Sequence, residues 1–320
     1  MKVAITGVSG YLGGLLAPLL DVDPDVDSIL GLDIVPPQFQ SPKFSFQEAD
    51  VRTAEFENLL RGADALYHLA FIVDPPKKMR IPAIDEINVQ GSRRVFEGAL
   101  AAGVPKIIYA SSIAAYGAHP DNPEILTEDS PLRPNPDWYY SRNKAAVESL
   151  LDRLQQDHPD AIVVRFRPCV FVGPTIKNPV GKLLQSKVFF CLNKDIRLNL
   201  CLDRDIAEAF KLALRYGESN TFNLSGDDPL CSDEMAACLG KKVIHLRPGM
   251  LLPLLKAGIA LGLAPEGMLD WFISLVRGSI NASSEKAKAK LGWSPSFDTR
   301  GTLLQFVGQP DLPSQGGKRT

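Results

Sequence analysis

A doubly wound, parallel α/β sheet with a smaller, mostly helical C-terminal lobe is the fold class that this 320-residue sequence predicts. Three observations carry it. The chain opens on an apolar strand that runs into glycines at three-residue intervals and then into a helical face. Apolar runs next alternate with helical stretches through residue 168, and the pattern changes after Gly173-Pro174. Strands alternating with helices imply parallel pairing through right-handed crossovers.

The first strand is Val3-Ala4-Ile5-Thr6, followed by Gly7, Gly10 and Gly13, with Tyr11-Leu12 and Gly14-Leu15-Leu16 continuing as helix. Glycines at a strand-to-helix turn let the backbone turn tightly and approach a pyrophosphate, to which the first helical amides offer partial positive charge. The loop of Gly7, Ser9, Gly10, Tyr11, Leu12 and Gly13 is therefore a candidate dinucleotide cradle. About 20 residues beyond it, a second strand ends in Asp33, where an acceptor meets adenosine ribose hydroxyls. That carboxylate would repel a 2′-phosphate, and Ile34-Val35-Pro36-Pro37 brings no arginine to neutralise one. NAD is thus expected in preference to NADP.

Phe44-Ser45-Phe46 leads as a short strand to Asp50. On one reading Asp50-Val51 lies beside the adenine; on the other Asp50 caps a helix over 53–60, and the residues leave both open. The continuous apolar run from Ala65 to Ala70 suits a strand buried on both faces of a parallel sheet, with its end over the cofactor. A Pro- and Lys-rich loop over 74–80, a helix over 83–102, a strand from Lys106 to Ser112, a helix over 140–157 and a strand over 161–166 follow. After Pro174 come a strand-like stretch from Ile196 to Leu200, a helix at Asp205 to Phe210, and Thr221-Phe222-Asn223-Leu224, which can rejoin the main sheet. Residues 227–308 read as mostly helical. The expected organisation is a dinucleotide-binding domain from 1–172 and 203–226, a substrate lobe from 173–202 and 227–308, and a flexible tail over 309–320. Ligands of open α/β sheets bind at the carboxyl ends of the strands, where such a lobe would close over them.

Composition narrows the function classes. Net charge is −2 and the isoelectric point about 6.1, without a run of like charges, so neither nucleic acid nor a polybasic membrane contact is expected. Five cysteines at irregular spacings and four scattered histidines point to neither a disulfide framework nor a metal site, which fits a reducing cytoplasm. The sequence passes straight into its glycine loop, so a cleaved export signal is not expected. The most apolar stretch, Met250 to Val276, is interrupted by Pro253, Lys256, Pro265, Glu266 and Asp270 and falls short of the roughly 20 apolar residues of a membrane span. It reads as core or lid helices.

Tyr140 and Lys144 stand four apart at the start of a helix and so share a side, while Ser112 ends a strand aimed at the cofactor. This is a proton-transfer constellation. A nearby ammonium and a positive nicotinamide would lower the tyrosine from its usual pKa of about 10. Tyr140 would then exchange a proton with a substrate hydroxyl or carbonyl while hydride moves to or from nicotinamide. Lys144 would hold the ribose hydroxyls and Ser112 the substrate oxygen. Only Tyr140 has a lysine four residues on, which leaves Tyr139 as packing or a substrate contact.

With these segments in family order along nearly the whole chain, the sequence resembles an extended short-chain dehydrogenase/reductase of the NAD-dependent epimerase/dehydratase family. The matching stretches are Thr6 to Gly13, Asp33, Asp50-Val51-Arg52, His68-Leu69-Ala70, Asn88-Val89-Gln90-Gly91-Ser92, Ser111 to Gly117, Tyr140 with Lys144, Arg167-Pro168 with Gly173-Pro174, Asp205-Ile206-Ala207, and Lys286-Ala287 with Leu291 to Pro295. The resemblance implies a Rossmann fold and supports Ser112, Tyr140 and Lys144 in the roles above. It also implies Pro168 against the nicotinamide, Leu69 and Ala70 as backbone neighbours of the cofactor, and Asn88 on a helix behind the site. The helices over 83–102 and 140–157 resemble those that pair across a dimer, so a homodimer is implied.

Departures from the family bear on the substrate. Ile113-Ala114-Ala115 replaces the acidic pair of sugar-nucleotide dehydratases, and Val170 and Leu202 stand where an asparagine and a histidine are frequent in epimerases. Leu251, Leu254, Leu255, Ile259, Trp271 and Phe272 make the second lobe apolar, for packing or for a hydrophobic substrate. Arg165, Arg167, Arg197 and Arg204 are candidate partners for a phosphate or carboxylate, or ordinary salt-bridge formers. The expected activity is NAD-dependent hydride transfer between a secondary alcohol and a ketone. A nucleotide-sugar epimerase with tightly bound NAD is the alternative, and a cofactor-bound sensor or scaffold a further one, against which the intact Ser112, Tyr140 and Lys144 argue.

Overall fold

The computed structural model describes residues 1–74, 76, 79–174, 176, 181, 184–261 and 276–308. Its frame is a seven-stranded, all-parallel sheet. The strands are β1 (Lys2–Thr6), β2 (Ser28–Asp33), β3 (Phe44–Glu48), β4 (Ala65–His68), β5 (Lys106–Ala110), β6 (Ile162–Pro168) and, after four short strands, β11 (Asn220–Leu224). They lie in the order β11-β6-β5-β4-β1-β2-β3, so the sheet grows outward in both directions from β1 and β4. The chain reverses its winding there, and the β1 end, with its glycine turn, opens at the crevice where such folds bind ligands. This is a Rossmann fold.

The strand sequences follow their places. β4 is buried at all four residues and reads as an apolar run because helices cover both faces; β6, buried at six of seven, carries Arg165 and Arg167 among its apolar residues. At the edge, β3 alternates Phe44 and Phe46 with outward Ser45 and Gln47, which presents solvent with polar side chains rather than a sticky strand.

On one face, α1 (Tyr11–Asp21) contributes Leu16 and Leu20 to a core with Phe166, Phe222 and Phe210, the last from the helix Asp203–Ala213. On the other, α2 (Phe56–Leu59), α4 (Ser92–Ala101) and α5 (Tyr139–Asp157) pack Phe56, Phe96, Val147 and Leu151 against Leu66, Tyr109 and Val163. The helix expected over 53–60 is only α2, one turn long, and its N-cap is Glu55 rather than Asp50. The helix expected over 83–102 comes in three pieces: α3 (Ile81–Asp85), a π-helical turn at Glu86–Gly91, and α4. A π-bulge inserts a residue and re-aims the side chains around it, frequently at functional sites; here it carries Asn88.

Beyond β6 the segments are shorter. β7 (Val170–Val172) pairs with β10 (Leu200–Leu202), β8 (Val188–Cys191) with β13 (Lys242–His245), and β9 (Arg197–Leu198) with β12 (Leu230–Cys231). A third core gathers Val172, Leu184, Phe189, Leu200, Met235 and Leu303. Residues 227–308 are thus less uniformly helical than the sequence pattern suggests, because two short strands, β12 and β13, alternate with the helices. The expected tail over 309–320 and the apolar segment over 262–275 lie outside the described residues, as do Trp271 and Phe272. No described helix is long and apolar enough to cross a membrane.

Candidate active site

A cavity of about 1410 Å³ opens at the carboxyl ends of the central strands. The glycine turn lines one side with Gly7, Ser9, Gly10, Tyr11, Leu12 and Gly13, and Leu69, Ser112, Tyr140, Lys144 and Pro168 line another. Residues from five separate stretches of sequence therefore share one wall. The fold brings them together because β1, β4, β5 and β6 are adjacent and parallel, so the loops leaving them emerge side by side.

The glycine turn is built for close approach. Gly7 has φ +72°, and a Cβ there would lie 2.5 Å from the Ala70 backbone nitrogen. A Cβ on Gly13 would meet Gly7 O at 2.4 Å, so the helix packs directly on the turn. Gly10, the N-cap of α1, offers no side-chain cap, and the first helical turn holds no acidic residue. The uncapped amides and the dipole of an 11-residue helix thus face the cavity. Asp33 closes the loop: its Oδ2 accepts from Ser9 N at 3.0 Å and its Oδ1 from Ile34 N at 2.7 Å. These features fit a dinucleotide. The glycines leave room for a diphosphate, and a carboxylate at the end of β2 suits a ribose.

Tyr140, Lys144 and Glu148 form one stripe along α5. The Ser112 hydroxyl lines the cavity with Tyr140 and accepts from Ala114 N at 3.1 Å, capping the 3₁₀ turn Ile113–Tyr116. Lys144 is 3% exposed; its Nζ donates to Ala110 O at 2.6 Å and sits 3.4 Å above the centre of the Phe71 ring. Burial holds Lys144 well below the usual lysine range, and the charge of Glu148 works in the opposite direction. Burial raises the pKa of Tyr140, opposed by the Ser112 hydroxyl, and the Lys144 ammonium lies 5.6 Å from the Tyr140 ring centre.

Of the remaining predicted residues, Asp50, Val51, Ala70 and Asn88 lie outside the lining, whereas Tyr139 belongs to it. Asp50 spends its carboxylate on Arg52, at 2.6 Å from Nη2, and accepts from Arg52 N, so it caps a turn rather than a helix. Val51 packs against Gly91, where a Cβ would lie 2.6 Å from Val51 Cγ2. Ala70 meets Gly7 backbone to backbone. Buried Asn88 braces the loop after β4: Oδ1 accepts from Ile72 N at 2.7 Å and Nδ2 donates to Ile72 O at 3.1 Å. Tyr139 donates to Val73 O at 2.7 Å while its side chain borders the cavity. Three of the candidate arginines are paired with Asp152, Glu148 and Glu234.

Sequence reasoning missed the network beneath the stripe. Glu148 is 1% exposed and accepts from Arg167 Nε at 2.9 Å and Nη2 at 2.6 Å, and from Ser111 Oγ at 2.5 Å. Arg167 Nη1 donates to Tyr116 Oη at 2.7 Å, and the single hydroxyl proton of Tyr116 is shared between Thr127 O and Asn223 Oδ1. The four-residue step from Tyr140 to Lys144 continues to Glu148, and that periodicity was its signal. Tyr11 Oη also donates to Asp203 Oδ2 and stacks on Phe171, tying the glycine turn to the start of the helix Asp203–Ala213.

The profile of the NAD dependent epimerase/dehydratase family matches residues 3–224. The chain belongs to this family, which is defined on NAD as cofactor. Among its relatives, a putative dihydroflavonol 4-reductase of Synechocystis sp. is 26% identical over 308 residues, covering 94% of this chain and 83% of that protein. A UDP-glucose 4-epimerase of Mycolicibacterium smegmatis is 31% identical over 194 residues, covering 57% of this chain and 59% of its own length. A solved structure, MoeE5 in complex with UDP-glucuronic acid and NAD, superposes with a TM-score of 0.75 at 19% identity, over 96% of this chain and 98% of that one. The family thus includes relatives named for both net reduction and epimerisation.

Proposed function

We propose that the protein is an NAD-dependent oxidoreductase that interconverts a secondary alcohol and a ketone, with Tyr140 as general acid/base. The observation that carries this reading is Tyr140, beside Ser112 and one helical turn from Lys144, on the wall of the cavity that the glycine turn enters. When bound, NAD supplies the hydride acceptor or donor. Gly7, Ser9, Gly10, Tyr11, Leu12 and Gly13 hold its diphosphate, Asp33 a ribose, and Leu69, Ala70 and Pro168 flank it. The proton of the reacting hydroxyl moves at Tyr140 Oη, and Ser112 Oγ holds the same substrate oxygen. Lys144 has three donors, of which Ala110 O engages one; the others are left for ribose hydroxyls. A cationic group brought against Tyr140 opposes the burial that raises its pKa. Residues 1–172 with 203–226 form the cofactor domain in this reading, residues 173–202 with 227–308 the substrate lobe, and α3, α4 and α5 the face of a homodimer.

The relative named as a UDP-glucose 4-epimerase supports a second reading, in which the same trio oxidises a sugar transiently and hydride returns to the other face. Net redox change separates the two. NADH accumulates with a true substrate alcohol under the first reading, whereas an epimerase yields isomer without NADH in solution. Tyr140→Phe is expected to lower kcat by about 10²–10⁴ with NAD binding retained; unchanged turnover would remove the acid/base assignment.

A further inference from the structure

We infer that the end of the cavity remote from the glycine turn takes an uncharged, largely hydrocarbon alcohol or ketone, not a sugar carried on a diphosphate. This deepens the reading of Tyr140 as the proton-transfer residue and rests on it, since the cavity is one. Away from the glycine turn and α5 the lining includes Phe189, Phe190, Ile196, Leu198 and Met235, and Trp138 adds its ring beside Tyr140. Across the whole cavity the apolar lining far exceeds the polar. A pocket of this make-up gains affinity from hydrocarbon removed from water and offers little to a charged group.

The polar groups of that wall are already engaged. Asn193 donates through Nδ2 to Val276 O at 3.0 Å and accepts at Oδ1 from Asp195 N at 3.0 Å. Ser232 is hydrogen-bonded to Cys191. Arg197 lies between Ile196 and Leu198 in sequence, and strand alternation sends those two inward and the guanidinium outward. There it donates to Pro229 O at 3.0 Å and to Glu234 Oε2 at 2.8 Å. Among the described residues the cavity's only lining cation is Lys144, beside Tyr140, and an exposed carboxylate, Asp74, borders the cavity and repels an anion. Among the described lining residues a diphosphate here would find no cation besides Lys144.

The test titrates NAD-loaded protein with straight-chain secondary alcohols of four to ten carbons and, in parallel, with UDP and UDP-glucose, reading equilibrium binding by ligand-observed NMR. Affinity is expected to rise about fourfold for each added methylene, and the longest alcohol to bind more tightly than either nucleotide. A flat dependence on chain length, or UDP-glucose binding more tightly than the longest alcohol, would overturn the inference. Phe190 is 45% exposed, so Phe190→Ser should fold, verified by circular dichroism. It should cost about tenfold in affinity for the longest alcohol, and equal affinity in the variant counts against the inference. Binding, read by NMR, and NADH formation, read by its fluorescence, are scored separately, which keeps the two claims apart. Alcohols that bind with the expected slope yet give no NADH would sink the redox reading alone, whereas NADH formed from a sugar nucleotide would uphold that reading and overturn this one.

Discussion

Glu148→Gln is the perturbation that separates the stripe on α5 from the network beneath it. The two charged partners are almost dry, Glu148 at 1% and Arg167 at 6% exposure, and the carboxylate takes hydrogen bonds from Arg167 and from Ser111. Glutamine keeps the volume but removes the charge and turns an acceptor into a donor facing a guanidinium. Removing one partner of a buried pair costs about 3–5 kcal/mol, because the other charge stays buried and uncompensated. An unfolding entropy of about 2.1 cal/mol/K per residue gives about 0.7 kcal/mol/K for a chain of 320 residues, hence a fall in Tm of about 4–7 °C.

The same substitution carries a catalytic signature. Glu148 sustains the charge on Lys144 against burial, so without it the ammonium gives up its proton at lower pH. The alkaline limb of kcat/KM against pH should therefore move downward in Glu148→Gln. Calorimetry and a pH-rate profile on one preparation check both effects. A Tm within about 1 °C of the parent would refute the energetic argument, at the scale that conversion sets; an unmoved alkaline limb would refute the link to Lys144.

Three further outcomes follow from the geometry. Asp33→Ala should weaken NAD much more than NADP, since it removes both a ribose acceptor and the charge that repels a 2′-phosphate; a side-by-side fluorescence titration showing equal losses would overturn the NAD preference. Gly13→Ala places a methyl 2.4 Å from Gly7 O and should cost about 1–3 kcal/mol together with most NAD affinity, whereas Gly14→Ala, with nothing within 4 Å, should stabilise the helix by about 0.5–1 kcal/mol. Equal melting temperatures would show that the turn tolerates a side chain. His68, buried between Thr6 Oγ1 and Ser92 Oγ, is pushed by burial from 6.5 to about 3. The unfolded chain therefore binds a proton that the folded chain refuses between those values, and stability falls as pH falls through that window. About 1.6 kcal/mol should be lost from this residue between pH 6.5 and 5. Urea denaturation at both pH values should show that loss in the parent and not in His68→Gln.

The centre of the sheet was legible because burial on both faces writes itself as a continuous apolar run: β4 is wholly buried, and the sequence reads it so. The glycine turn was legible for a steric reason, since a Cβ at Gly7 or Gly13 would strike backbone atoms. Side-chain partners were harder to foresee. Asp50 carries the right charge in the right strand-end position, but Arg52 two residues on satisfies it locally, and such local capture competes with any distant role. Lys144 shows the same limit: spacing on a helix fixes which face a side chain leaves from, but not that its ammonium is held by the carbonyl of Ala110, which arrives from another strand.

Arg167 shows where this limit has chemical consequences. In the sequence it stands one residue before Pro168 at the end of β6, a position from which a guanidinium could reach a ligand, and its charge alone suits phosphate. β6 alternates its faces, however, so Arg167 and Pro168 leave on opposite sides: Pro168 lines the cavity, and Arg167 reaches Glu148 beneath α5. The helix that presents Tyr140 and Lys144 to the cavity is thus anchored from behind by an ion pair to the strand that presents Pro168. A cation that serves as scaffold is not available as ligand. The same exchange recurs at Arg197, whose partner Glu234 belongs to the helix Ser232–Cys238. Both strands spend their arginines on bracing and turn small or apolar neighbours toward the cavity, and this division ties the architecture of the site to an uncharged substrate.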